Sequence, residues 1–237
     1  MTAKITVLTA VLNQADALRE TIRSVCDQSY PNLDFFVVDG GSADGTLDVI
    51  RSREKQLSGW ISEIDDGIYD AMNKGWSMAG DDSYVLFLGA GDCLLDLPKE
   101  LPVPGRSPYI YYGRVMLDGG REFVSHANWR LKLYNALHHQ ALLIPKRLHP
   151  EPPFDTCFRL YADFDFNQRL MKMGVPFRFI SGLSAYASPG GMTASTDIIE
   201  MTDIVRKNYG IFWWLLSRAG FETVKYLPFL KKLRPIR

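Results

Sequence analysis

The chain has 237 residues, 46% hydrophobic and 23% charged, with a formal net charge of zero, so it is long and apolar enough for one large folded domain, and a disordered or uniformly basic, nucleic-acid-binding body is excluded. The charge is uneven: from Arg206 onward eight basic residues stand against Glu222 alone, and eight minus one leaves +7 on the tail and −7 on the rest. Three widely spaced cysteines, Cys26, Cys93 and Cys157, form no CxxC pair and leave one over, which argues against a disulfide framework or zinc site and suits a reducing cytoplasm.

The amino-terminal run MTAKITVLTAVLN lacks the basic region and long apolar core of a secretory leader and enters a strand over Lys4 to Leu12. A helix over Ala15 to Gln28 follows, with Leu18, Ile22 and Val25 at helical spacing, then a turn at Tyr30-Pro31-Asn32. Leu33 to Val38 reads as a buried strand, Thr46 to Gln56 as a helix, Trp60 to Ile64 as a short strand, Tyr69 to Ala79 as a helix and Tyr84 to Leu88 as a fourth apolar strand. This alternation predicts an α/β fold with a mostly parallel central sheet and helices on both faces. Beyond Asp92 the pattern changes. Leu94 to Pro108 carries four prolines and reads as an irregular connection, while Tyr109 to Met116, Arg121 to Ser125 and Gln140 to Ile144 read as strands of a smaller second sheet, with Asp118-Gly119-Gly120 as a hairpin turn. Ala162 to Met173 is a helix closed by Gly174, and Phe177 to Ile180 leads into another strand. Residues 1–205 are expected to form one domain, with a nucleotide-binding half over 1–92 and an acceptor half over 93–205, followed by a basic, aromatic tail over 206–237.

Acidic or polar groups fall at the carboxyl ends of successive predicted strands: Asn13, then Asp39, then Asp65 and Asp66, then Asp92. Strand ends of a parallel sheet share one edge, so these residues are expected to converge on a ligand-binding crevice, with Asp39 pointing into it. Each alone reads equally well as a turn former or helix cap. In LDFFVVDGGSADGT, Gly40 and Gly41 allow a tight turn, Ser42 and Asp44 can cap the next helix, and the Asp39 carboxylate suits nucleoside hydroxyls or ring N–H groups. No GxGxxG follows the first strand and no GxxxxGK[ST] occurs, so a bound diphosphate would need a cation or basic side chain. Asp92 in Gly89-Ala90-Gly91-Asp92 supplies one carboxylate, enough for a hard cation that also takes phosphate oxygens. Asp163 and Asp165 open a helix, where first-turn acids are favoured by the dipole, and either can serve as a base.

Together VVDGGSADGT, DDGIYDAMNKG, YVLFLGAGD and YADFDFNQRL, from about Ile5 to Ala187, resemble the family 2 glycosyltransferases, inverting enzymes with the Rossmann-like GT-A fold. The DGGSADGT and GIYDAMNKG runs look like the branch that builds bacterial exopolysaccharide, capsule and lipopolysaccharide sugars. The resemblance implies a single GT-A domain and a nucleoside-diphosphate sugar donor bound by Thr9, Ala10, Asn13, Asp39, Gly41, Asp66, Asn73, Lys74 and Gly91. It implies Mn²⁺ or Mg²⁺ on Asp92, the last acid of a DXD motif that reads A-G-D here. It also implies Asp163 as the base, at the second position of an ED motif whose Glu is replaced by Ala162. Tyr69, His139, Gln140 and Asp165 are candidates for contact with donor or acceptor. Adjacent His138 and His139 face opposite ways on an extended chain, which disfavours a paired metal site. Ser188-Pro189-Gly190-Gly191-Met192-Thr193 resembles a flexible segment that can act as a lid excluding water.

The acceptor is expected to be a saccharide or lipid-linked saccharide, with no nucleic acid partner. Ile211 to Leu216 joined to the tail cations reads as an interfacial helix on the inner face of the cell membrane, or equally as a core or dimer contact; it is too short and interrupted to span a bilayer. Two rivals remain: a sugar nucleotidyltransferase, which needs a cationic loop where Asn13-Gln14-Ala15-Asp16 stands, and a non-catalytic sugar-nucleotide-binding module.

Overall fold

A computed structural model describes residues 2–105, 109–149, 151–189 and 197–232, with side chains up to residue 223. In chain order the elements are β1 (Lys4–Val11), α1 (Ala15–Cys26), β2 (Leu33–Asp39), α2 (Thr46–Arg53), β3 (Gly59–Ser62), α3 (Ile68–Met78), β4 (Ser83–Gly89), β5 (Cys93–Asp96), β6 (Ile110–Leu117), β7 (Arg121–Phe123), β8 (Leu142–Pro145), α4 (Ala162–Lys172), β9 (Phe177–Tyr186), α5 (Ile198–Tyr209) and α6 (Ile211–Lys232). The strands run in the order β3-β2-β1-β4-β8-β6-β9-β5, with β7 paired to β6. The first four are all parallel, as the alternating pattern requires.

Strand β4 shows why this half sits at the centre. Tyr84, Leu86 and Leu88 pack with α1 and α2 residues such as Leu18, Ile22 and Ile50, whereas Val85 and Phe87 face the opposite core with Met72 and Trp76 of α3 and Phe164 of α4. A strand buried on both faces needs apolar residues at every position, and Tyr84 to Leu88 supplies them. Trp76 stacks on Phe87, meets Phe166 edge-on and donates its indole N–H to the His149 carbonyl at 3.0 Å. That aromatic cluster fixes α3, β4 and α4 against one another.

The acceptor half continues the same sheet through β8. Its Ile144 and Pro145 pair antiparallel with β4, and its Leu142 and Leu143 pair antiparallel with β6. Three local expectations change. Leu94 to Pro108 is not wholly irregular: Cys93–Asp96 is a strand, because Leu94 is buried and pairs with Ala185 of β9 before the prolines begin. The strand expected from Gln140 starts at Leu142, since His139–Ala141 forms a 3-10 turn. Phe177 to Tyr186 is one strand, with a register shift against β6 between Tyr112 and Arg114.

Residue 206, where the tail was expected to begin, lies inside α5, whose Ile204 and Val205 are buried in the core. In α6 the apolar run divides. Trp213 packs on the core beneath the Lys132 ammonium, and Ser217 donates to the Leu133 carbonyl at 2.6 Å, while Ile211, Phe212, Leu215 and Leu216 face outward. Among the described residues no helix is long and apolar enough to cross a membrane.

Candidate active site

The parallel geometry brings the ends of β1, β2 and β3 together. Asn13, at a left-handed φ of 51°, donates its backbone N–H to Ser42 Oγ at 2.7 Å and accepts the Ala43 N–H on its side-chain oxygen at 2.8 Å, locking the β1 exit onto the loop after β2. Asp39 lies at the strand end as expected, but its carboxylate is fully buried and does not open into a crevice. It accepts the Ser42 hydroxyl at 2.5 Å, the Ser62 hydroxyl at 2.6 Å and the Ser42 N–H. Ser42 therefore braces Asp39 instead of capping α2. The residue before α2 is Gly45 at φ 95°, and Asp44 takes the Thr46 N–H at 3.0 Å and the Ala15 N–H at 3.1 Å, so it serves both helices. Gly41 needs its left-handed φ of 83° to make this turn.

Lys74 reaches into the same corner and meets Asp65 at 2.5 Å, Glu63 at 2.9 Å and Asp70 at 3.1 Å. Burial works against its charge, but the three carboxylates outweigh burial and hold the ammonium pKa above its ordinary value. Asp66 is exposed, and its backbone N–H donates to Asp70 at 3.1 Å. Asn73 is not free for a ribose: its amide donates to the Phe154 carbonyl and accepts the Phe154 N–H, both at 2.9 Å, clamping the loop that leads to α4. Thr9 and Ala10 are buried in β1, and among the described residues no partner is found for the Thr9 hydroxyl. An open depression of about 520 Å³ adjoins this corner, lined by Asn13, Arg19, Asp44 and Asp48 among others; Asp39, Asp92 and Asp163 are not in its wall.

A second group assembles around β4. Asp92 accepts the Ser188 N–H at 2.9 Å on one oxygen, and the Gly89 N–H at 2.9 Å and the Gln140 amide at 3.1 Å on the other. Thr21 of α1 fastens this loop by donating to the Asp92 carbonyl at 2.8 Å and accepting the Gly91 N–H at 2.9 Å. At Gly91, with φ of 95°, a side chain would press on Ser188. These donors occupy both Asp92 oxygens, Ala90 offers no second acid, and the described residues contain no cluster of three potential metal ligands. The residues present do not fit a resident divalent cation held by the protein alone. Gly190 to Thr193 of the expected lid lie outside the described residues.

One residue from Gln140, His139 Nδ1 meets Asp163 at 3.2 Å. Asp163 sits in the first turn of α4 and accepts the Phe164 N–H at 2.8 Å, the Tyr69 hydroxyl at 3.3 Å and the Asn135 amide at 3.4 Å. The single Tyr69 proton is shared with the nearer Leu160 carbonyl at 2.9 Å, and burial pushes its phenol well above the ordinary value. Burial, the largest influence on Asp163, favours the neutral acid. The hydrogen bond from His139, the charges of His139 and His138 and the Phe164 amide outweigh it and hold the carboxyl below its ordinary value. Burial likewise disfavours a charged His139, but Asp163 and then Asp92 hold that imidazole above its ordinary value. His138 turns away to Gln140 Oε1 at 3.1 Å and stacks edge-on with Phe123; burial lowers its pKa.

Asp165 belongs to neither group. It is fully buried between α4 and α5, meeting Arg169 and Asn208 at 2.9 Å and Lys207 at 3.0 Å, so it does not contact donor or acceptor. Sequence reasoning missed Ser62, Thr21 and Asn135, as well as Glu200 of α5, whose carboxylate accepts the N–H groups of Arg159, Leu160 and Tyr161 at 2.7–3.0 Å and so sets the entry to α4. Each contact joins segments far apart in the chain, and only the polar character of these side chains hinted at it.

The model of the family described as "Glycosyl transferase family 2" matches residues 6–167, more than half the chain. A PGL/p-HBAD biosynthesis glycosyltransferase of Mycobacterium bovis is 28% identical over 179 residues, covering 69% of this chain and 68% of that protein. Among solved structures, Staphylococcus aureus TarS superposes with a TM-score of 0.62 at 16% identity over 86% of this chain, which spans 38% of TarS; its 1–349 fragment has been solved with UDP-GlcNAc. A mannosyltransferase of Pyrobaculum calidifontis, solved with GDP-Man and Mn²⁺, gives a TM-score of 0.56 at 18% identity, covering 81% of this chain and 59% of that one. At these identities the structural likeness speaks to the fold.

Proposed function

The chain belongs to glycosyl transferase family 2, and from that premise we propose that it moves a sugar from a nucleoside-diphosphate donor to a hydroxyl acceptor, with inversion. The observation that carries the reading is the chain of contacts from Asp92 through Gln140 and His139 to Asp163. It sets a carboxylate centre in the first turn of α4 beside the loop at the end of the parallel sheet, where α/β folds receive nucleotides. The nucleoside binds at the β1–β3 corner beside the exposed Asn13 and Asp66, with the buried Asp39 and the paired Lys74 bracing that corner from behind. The diphosphate lies toward Gly91 and Asp92, and the attacking hydroxyl gives its proton to the Asp163 centre. Base assistance of this kind contributes about 10²–10⁴-fold.

A bound Mn²⁺ or Mg²⁺ ion would neutralise charge on the leaving diphosphate. Because the residues around Asp92 form no cage of their own, an ion there would take most of its ligands from the donor, and Mn²⁺ alone should show no saturable binding in the absence of UDP.

The resemblance of the DGGSADGT and GIYDAMNKG runs, together with the PGL/p-HBAD relative, supports a role in bacterial cell-surface glycan synthesis with a saccharide or lipid-linked saccharide acceptor. The outward face of α6, Ile211, Phe212, Leu215 and Leu216, with the +7 tail (eight basic residues minus Glu222), supports peripheral contact with an anionic bilayer. Sedimentation with anionic against neutral vesicles tests this, and a Phe212→Glu, Leu215→Glu variant that binds anionic vesicles as well as wild type would refute it. For the transfer itself, calorimetry should detect UDP binding, and Asp163→Asn should abolish sugar transfer while leaving UDP affinity within about threefold; full activity in that variant would overturn the reading.

A further inference from the structure

We propose that Arg206 of α5 and Arg218 of α6, both stacked on the indole of Trp214, form a binding site for the phosphate of an anionic membrane-lipid headgroup. This rests on the bilayer contact proposed above and names the lipid group and the side chains that hold it.

Arg206 lies in the last turn of α5, and its guanidinium carbon sits 5.8 Å from the centroid of the Trp214 ring; that of Arg218, one turn further along α6 than Trp214, sits 5.1 Å from the same centroid. Nearby cations are already paired: Lys207 meets Asp155 and Asp165, and Arg169 meets Asp165. Arg206 and Arg218 are exposed, and among the described residues neither has a carboxylate within 4 Å. A guanidinium stacked on a ring by its flat face keeps its N–H edge free, and that edge is the planar fork that matches two oxygens of a phosphate. The ring also holds the fork in place, so less side-chain freedom is lost when an anion arrives. Two unpaired cations beside one indole repel each other, and a single anion drawn between them turns that repulsion into attraction. A buried indole N–H usually finds an acceptor, yet that of Trp214 has none among the described residues, and a phosphate oxygen can supply it.

The surroundings favour a lipid phosphate over a soluble one. Ile211, one turn before Trp214, and the adjacent Leu215 are exposed, and with Phe212 and Leu216 they leave an apolar strip beside the two arginines. A phosphate at a bilayer surface carries its acyl chains beneath it, where they would cover that strip, whereas a free phosphate would leave it in water. Tryptophan suits this depth, with an apolar ring toward the chains and an N–H at headgroup level. The charge balance agrees, since from Arg206 onward the chain carries eight basic residues against Glu222 alone and is drawn to anionic surfaces. Lys132 over Tyr209 and Trp213, and Lys172 over Tyr209, extend the same pattern of cations on aromatic rings along the α5–α6 side.

Diffuse attraction needs only charge, whereas a site built this way needs the guanidinium shape, and that difference supplies the test. The experiment is sedimentation with phosphatidylcholine vesicles, with and without phosphatidylglycerol, for wild type, an Arg206→Lys, Arg218→Lys variant that keeps the charge and loses the fork, and an Arg206→Gln, Arg218→Gln variant that loses both. Thermal melting serves as the control for folding. The expected result is wild-type binding that depends on phosphatidylglycerol, a loss of about fivefold or more in the lysine variant at unchanged net charge, and a loss of about thirtyfold in the glutamine variant. A lysine variant within about twofold of wild type would overturn the site and leave the bilayer contact to diffuse attraction. Inorganic phosphate that releases wild type from the vesicles when chloride at equal ionic strength does not would overturn the lipid assignment in favour of a soluble anion. A wild-type dimer in sedimentation velocity that the lysine variant dissociates would give the face to a second copy of the chain and overturn it as well. Wild type that binds neither kind of vesicle would remove the bilayer contact and this site together.

Discussion

The two groups of polar residues differ in how they are assembled. At the β1–β3 corner, Asp39 is held by Ser42 three residues away and by Ser62 on the paired strand β3, and apart from Ser62 the bracing follows from one strand-turn-helix run. At the Asp163 centre the partners come from α3, the loop at Asn135, the turn at His139 and the start of α4, with Glu200 of α5 holding the entrance. The first group is built by local sequence. The second is built by tertiary packing, so it should be the more easily disturbed from a distance.

Glu200→Ala probes that difference most strongly. It leaves three backbone N–H groups before α4 without their acceptor, so stability should fall by about 2 kcal/mol, read as a shift in the urea midpoint. Transfer should drop while UDP affinity holds, and an equal loss of both would show that the two groups are not independent. On the other side, Ser62→Ala removes a hydroxyl that donates to a buried carboxylate, a bond worth roughly 1.5–3 kcal/mol, so UDP affinity should change by about tenfold with little effect on turnover at saturating donor. Calorimetry and initial rates separate these outcomes.

The ion pair sharpens the comparison through pH. Because Asp163 is held below its ordinary value, its stabilisation is present above about pH 4 and is lost as pH falls through the folded-state value. His139 is held above its ordinary value, so its contribution is full below about pH 6.5 and is lost as pH rises through the folded-state value. Thermal melts of wild type should therefore decline above neutrality more than those of His139→Gln; parallel curves would show that the pair adds nothing to folding. The smallest effect is expected for Lys207→Ala, which removes a partly exposed ammonium from Asp155 and Asp165 and should cost about 1 kcal/mol or less with KM unchanged.

The same contrast explains what could be read from the chain. Strands β1, β2 and β4 and helices α1 to α3 were legible because each is an apolar period bounded by turn residues, and the acids at their ends follow from parallel topology. The closure around Asp39 was not, since a serine three residues on reads as a cap as readily as a brace. Asp163 and Asp165 look alike in sequence, both first-turn acids, yet one meets His139 and the other is sealed between α4 and α5. Two residues along a helix point about 200° apart, and only the packing of α5 decides which of them faces a site. Strand β5 was hidden because its pairing partner β9 lies some ninety residues further along.

Strand β8 has a practical consequence. Four residues long, it is stitched to β4 at one end and β6 at the other, directly after the turn that carries His139 and Gln140. A chimera joined after Asp92, combining the front of this chain with the back of a relative, would replace that seam with foreign side chains. Grafts that keep β4, the His139 turn and β8 from a single parent should fold and retain their chemistry, whereas those that divide the three should lose both.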